Sequence, residues 1–148
     1  MIVAARKLAN ANPKRPRQAE LRRAVSTAYY ALFHVLAREV ADLLVGVGQN
    51  RPDRAWAQVY RALQHGEAKN ACIQVGNLGF SGDIIDLAKA FVALQELRHR
   101  AGYDPEYRLQ RADAITAIEL AEGAMERLKS ATRKERRAFA VLLIFKRR

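Results

Sequence analysis

Apolar residues recur along this chain at spacings of three and four over several long stretches, the signature of helices that each bury one face. The strongest stretch runs from Gln18 to Val45, where Leu21, Val25, Ala28, Leu32, Leu36, Val40 and Leu43 or Leu44 fall in register. Tyr29, Tyr30 and Phe33 widen its apolar stripe until little more than one polar edge remains. A helix so apolar around its circumference is either central in a bundle or shared with a partner subunit. A second long pattern starts after Ser81, an expected N-cap, and carries Ile84, Leu87, Phe91 and Leu94. The next position in that series is Arg98, a permanent cation where an apolar residue is due. It reads either as a guanidinium aimed at the core or a partner, or as a last-turn arginine that offsets the helix dipole and reaches back to water. Gly102 as a C-cap and the Asp104-Pro105 pair then predict the helix end, because the residue before Pro is driven out of the helical region.

The remaining patterns are shorter. Residues 2–9 permit a short helix, broken by the prolines and asparagines between Asn10 and Pro16. Asp53 can cap a helix through Trp56, Val59, Tyr60 and Leu63, ending near His65-Gly66. Ala68 to Val75 supports one or two turns, and Gly76-Asn77-Leu78-Gly79 reads as a turn. A last long helix begins between Pro105 and Asp113 and runs through Ile115, Ile118, Ala121, Met125 and Leu128. Between Thr132 and Arg148 an apolar run from Phe139 to Phe145 lies between basic clusters. It is far too short to span a bilayer, and packing back onto the bundle is favoured over a surface-binding segment. With no hairpin signal and no internal repeat, the fold class is all-α.

Composition adds bounds. A length of 148 residues, half of them hydrophobic, suits one domain with a real core. The single Cys72 excludes an internal disulfide framework and a multi-cysteine zinc site, and it reads as a small buried hydrophobe. Together with an N-terminus that lacks the apolar run of a signal peptide, it points to a reducing, cytoplasmic setting without membrane insertion. The net charge of +11 is unevenly spread: residues 1–23 carry +6, residues 133–148 carry +6, and the 109 residues between them carry −1. Such ends are either solvated termini or phosphate contacts.

The three histidines, His34, His65 and His99, fall on separate segments at no metal-ligand spacing, so neither a metal nor another cofactor is expected. Arg61 and His65 stand one helical turn apart, an imidazole and a guanidinium that together could cleave RNA through its own 2′-hydroxyl. The alternative is a His near a helix C-terminus, favoured there by the dipole.

Two stretches resemble a known family. Arg22-Arg23-Ala24-Val25-Ser26-Thr27-Ala28-Tyr29-Tyr30-Ala31-Leu32-Phe33-His34 is similar to the opening helix of bacterial and archaeal HEPN-domain proteins, and Arg98-His99-Arg100-Ala101-Gly102-Tyr103-Asp104 resembles their Arg-x-x-Ala-Asp-Tyr helix end. The resemblance spans roughly residues 17–130. It implies an up-and-down bundle, here of four to five helices, and a homodimer formed through the motif helices; the chain's own pattern sets that bundle over residues 1–132, with 133–148 as a basic and apolar tail. It also implies RNA or nucleotide binding in a toxin-antitoxin or defence setting, a metal-independent endoribonuclease, or an interaction module for a nucleotidyltransferase-like antitoxin. On this resemblance Arg98 faces phosphate, Tyr103 closes its pocket, and Arg100 and Tyr30 join the binding surface. Catalytic members carry a His a few residues after the motif Arg. Here only the adjacent His99 follows it, and Gly102 replaces the usual Asp, so the candidate catalytic set is Arg98 with His34 or His65 reaching across a dimer.

Overall fold

Helix α2 (Gln18–Leu44) is the axis of the fold in the computed structural model, which describes residues 1–146. Leu21, Val25, Ala28, Tyr29, Leu32 and Leu36 on it are fully buried. Around it stand α1 (Ile2–Asn10), α5 (Gly82–Tyr103) and α6 (Arg111–Ser130). Cross-links give their directions. Arg6 at the middle of α1 pairs with Glu122 and Asn10 at its end meets Arg111, so α1 runs against α6. Arg22 at the start of α2 binds the carbonyls at the end of α5, and Arg127 at the end of α6 reaches Asp83 at the start of α5. The four therefore alternate up and down, with α2 and α6 parallel across the shorter diagonal.

Among the described residues there are seven α-helices and no strand, where four to five helices were expected. Leu63, which is buried, and Gln64 adopt extended backbone between α3 (Asp53–Ala62) and α4 (His65–Gln74). The first helix therefore ends before the expected His65-Gly66, and the expected one or two turns over Ala68–Val75 extend into a ten-residue helix. Both helices pack on the bundle: Trp56 meets Asp42 while Tyr60 meets His34, so α3 is antiparallel to α2, and Lys69 meets Glu96 while Cys72 and Ile73 lie beside Ile85 and Lys89, so α4 is antiparallel to α5. The segment from Arg133 on is α7 (Arg133–Ile144), started by Thr132, whose hydroxyl accepts from the Glu135 amide at 3.2 Å. Phe139, Ala140 and Leu143 on it belong to the same buried cluster as α2 and α5. Arg147 and Arg148 lie outside the described residues.

Two caps differ from expectation, and the start of α6 falls within its expected range. Gly102 lies inside α5 with no left-handed backbone, and the helix ends at Asp104, whose φ is −104°. Arg22 provides the termination instead: its guanidinium donates to the carbonyl of Ala101, which the helix end leaves without a backbone partner, and to those of Asp104 at the cap and Tyr107 in the loop that follows. The Ser81 hydroxyl makes no bond, and the Ser81 amide donates to Glu135 of α7 at 2.7 Å. Pro105 sits in a turn, and α6 begins after Gln110, which exchanges bonds with Asp113 in a capping box.

Candidate functional site

The arginine that interrupts the apolar stripe of α5 lies against the aromatic face of α2. Ile84, Leu87, Phe91 and Leu94 below it are fully buried, so helical spacing carries Arg98 to the rim of the core. There its Nη2 donates to the Tyr30 hydroxyl at 2.6 Å. The guanidinium carbon stands 4.9 Å from the Tyr30 ring centroid and 5.5 Å from that of Tyr29, distances of cation–π attraction. Among the described residues no carboxylate lies within ion-pair distance of it. A half-buried cation is thus held by neutral rings and left without a counter-charge.

Two imidazoles join it. His65 Nδ1 lies 2.6 Å from the Tyr29 hydroxyl, its ring stacks on Phe33 with centroids 4.0 Å apart, and the Tyr30 ring meets it edge-on at 5.7 Å. His34 Nδ1 lies 2.7 Å from the Tyr60 hydroxyl, and the ring is exposed beside Tyr30. Arg98, His65 and His34 therefore gather within one chain, around tyrosines of α2 and α3. Arg100 and Tyr103 do not. Two and five residues past Arg98, they leave α5 on other faces: Arg100 is exposed over Tyr107, and Tyr103 is 69% exposed with its ring against His99.

The Arg61–His65 pair also dissolves. Because α3 ends at Ala62, His65 opens α4 rather than closing α3, while Arg61 sits exposed on the other helix. At a helix N-terminus the dipole opposes a cation, the reverse of the effect expected for a C-terminal His.

The electrostatics follow from this packing. His65 is held below its usual 6.5, first by burial, then by the Arg98 charge and by His34. Burial pushes the Tyr29 phenol well above its usual range, so it stays protonated. Tyr29 is fully buried, and among the described residues its hydroxyl has one partner, His65 Nδ1. A buried O–H needs an acceptor, which assigns the hydroxyl as donor and places the proton of neutral His65 on Nε2. Cys72 is buried on α4 and its thiol is pushed up to about 12 by burial, which leaves it inert as a nucleophile.

A titration checks this arrangement. NMR of the ring signals should place the His65 pKa below 6.5, and Arg98→Met should raise it by removing a facing positive charge. No movement in the variant would disconnect the two groups. Since the folded value lies below the unfolded one, the unfolded chain takes up the proton first. This group therefore costs stability as pH falls from 6.5 toward its folded pKa, and has no effect above that window.

The described residues contain no group of three or more His, Cys, Asp or Glu side chains placed to hold a metal ion. No family model, no curated protein and no solved structure matches this chain.

Proposed function

We propose that the protein is a HEPN-like RNA- or nucleotide-binding protein that takes a phosphate at Arg98. The observation carrying this reading is the guanidinium without a carboxylate partner, flanked by two imidazoles whose Nδ1 atoms rest on tyrosine hydroxyls. Anchoring Nδ1 leaves each Nε2 as the atom available to a ligand, and on neutral His65 that atom is an N–H donor suited to a phosphate oxygen. The exposed cations of the chain ends add a sequence-independent attraction for a polyanion. On the same reading the protein is a homodimer and a partner for a nucleotidyltransferase-like antitoxin.

The second reading, a metal-independent endoribonuclease, is favoured by the presence of two imidazoles at one guanidinium. Cleavage through the 2′-hydroxyl needs a base with a free lone pair. His65 does not supply one while Tyr29 donates to its Nδ1, so His34 would be the base, and neutral His65 would give the leaving oxygen a hydrogen bond while that oxygen takes its proton from water. Binding ranks first because it needs no proton transfer, and neutral His65 is a poor acid.

Affinity for single-stranded RNA is the test. Its logarithm should fall linearly with the logarithm of salt concentration, with a slope of about −0.7 per phosphate contacted. Affinity that ignores salt would overturn the phosphate reading. An RNA ladder left intact after long incubation with chelator present would remove the nuclease reading while leaving the first in place.

A further inference from the structure

Beyond the Arg98 cluster, the face of α2 that carries Tyr30 continues through His34, Arg38 and Asp42, each four residues on and so in line along the helix. A recess of about 570 Å³ opens beside this line, between the start of α1 and the middle of α2. Ile2, Ala31, Val35 and Met125 make its walls apolar, and His34 and Arg38 stand on its polar side. At its mouth Met1 and Val3 are 57% and 68% exposed, two of the few large apolar side chains the fold leaves in water. The acidic groups at the recess are already engaged: Asp42 accepts from the Trp56 indole at 2.8 Å, and Glu39 pairs with Arg136 at 2.7 Å. Asp42 also lies 3.9 Å from Arg51, whereas among the described residues Arg38 has no carboxylate within ion-pair distance, so its charge complements an anion.

Aromatic rings lead from the Arg98 cluster to this recess and past it. Tyr30 and His34 stack at 6.2 Å, His34 and Tyr60 at 6.0 Å, and Tyr60 and Trp56 at 5.2 Å. Arg38 lies two turns from Tyr30, the hydroxyl partner of Arg98, or about 12 Å along α2 at the helical rise. Arg98 beside Tyr30 and Arg38 at the recess, with an exposed imidazole between them along that line, match a chain in which phosphates alternate with flat apolar rings.

We infer that the recess between α1 and α2 is a nucleobase subsite, which takes an unpaired base from the strand whose phosphate sits on Arg98. It rests on the phosphate-binding reading above and adds to it the requirement for an accessible base. Single-stranded nucleic acid meets that requirement and a closed duplex does not. Trp56, the one tryptophan of the chain, reports occupancy, because its indole is bonded to Asp42 at the edge of the recess.

The test compares two labelled probes, a short single-stranded oligoribonucleotide and the same sugar-phosphate backbone with every base removed. Anisotropy and Trp56 emission are read on wild type and on Val35→Phe, where the half-exposed Val35 is enlarged into the recess without entering the core. Wild type should bind the complete strand about tenfold tighter than the bare backbone, with Trp56 emission changing for the complete strand alone. Val35→Phe should bind both at the backbone's affinity. Equal binding of the two probes by wild type would overturn the subsite and leave Arg98 as a phosphate site, whereas no binding of either would overturn both. Sedimentation on the same samples covers the other occupant: a dimer lost in Val35→Phe with the strand preference intact would assign the recess to a second copy and overturn the inference.

Discussion

Arg98→Ala is expected to weaken single-stranded RNA binding by about 100-fold, or ~2.7 kcal/mol, at low salt, with little change in the fold. The size follows from the setting of the group. Tyr29 and Tyr30 restrict the guanidinium and supply no negative charge, so a phosphate would be its first full counter-ion. Partial burial keeps water from screening that contact, and charge-assisted pairs of this kind are the strong ones. The fold should tolerate the change, because the side chain is half-buried and its one hydrogen bond goes to a tyrosine that is itself partly exposed. Filter binding or anisotropy against salt gives the affinity, and circular dichroism checks the helices. Arg98→Lys should recover only part of the loss, since an ammonium keeps the charge without the planar fork. Tyr30→Phe, which removes the anchor alone, should cost about fivefold. Binding unchanged in Arg98→Ala would assign the affinity to the chain ends and leave the α2–α5 cluster a structural feature.

Much of this cluster was legible in the chain, but only one residue at a time. Periodicity put Arg98 on the buried face of its helix, and the apolar width of α2 marked Tyr29, Tyr30 and Phe33 as more than lining. What spacing could not express was which helices meet. His65 reaches Tyr29 because a two-residue extended break at Leu63-Gln64 turns the chain between α3 and α4. The pattern marked this break only at the breaker Gly66, so the expected end fell a few residues late. For the same reason Arg61 and His65 read as one turn of a single helix. The partnership of Arg22 with the end of α5 depends on α2 and α5 running antiparallel, 79 residues apart in sequence for the nearest bond. Gly102 was the natural stop signal, yet a cationic side chain from another helix satisfied the carbonyls that a glycine cap would otherwise have turned inward. The charge map changed likewise. Arg6, Arg22 and Arg136, counted among the basic ends, are spent on Glu122, on helix-end carbonyls and on Glu39, so the ends offer fewer free cations than their totals suggested.

Phe139→Ala should destabilise the protein by about 3–5 kcal/mol, the usual range for emptying a buried phenylalanine site. By composition the C-terminal stretch is basic, yet its apolar run from Phe139 to Phe145 is the part expected to pack on the bundle. In the structure Phe139 is 1% exposed and meets the Phe80 ring edge-on at 6.2 Å, while Ala140 and Leu143 fill the neighbouring turn. The helix is fastened at its start as well. Glu135 receives the amide of Ser81, placing a carboxylate at the positive end of α5, and Arg136 pairs with Glu39 where both side chains are largely withdrawn from water. Removing the ring would leave a cavity that these polar ties prevent from collapsing, which puts the effect toward the upper part of the range. Thermal unfolding should show a drop of roughly 10 °C for a domain of this length. Val141→Ala, at a site 45% exposed on the same helix, should change stability by less than about 0.5 kcal/mol. A loss in Phe139→Ala no larger than that of Val141→Ala would mean that α7 detaches without cost. The contacts of Glu135 with Ser81 and of Arg136 with Glu39 would then have to be too weak to hold it, and the bundle would fold through α6 alone.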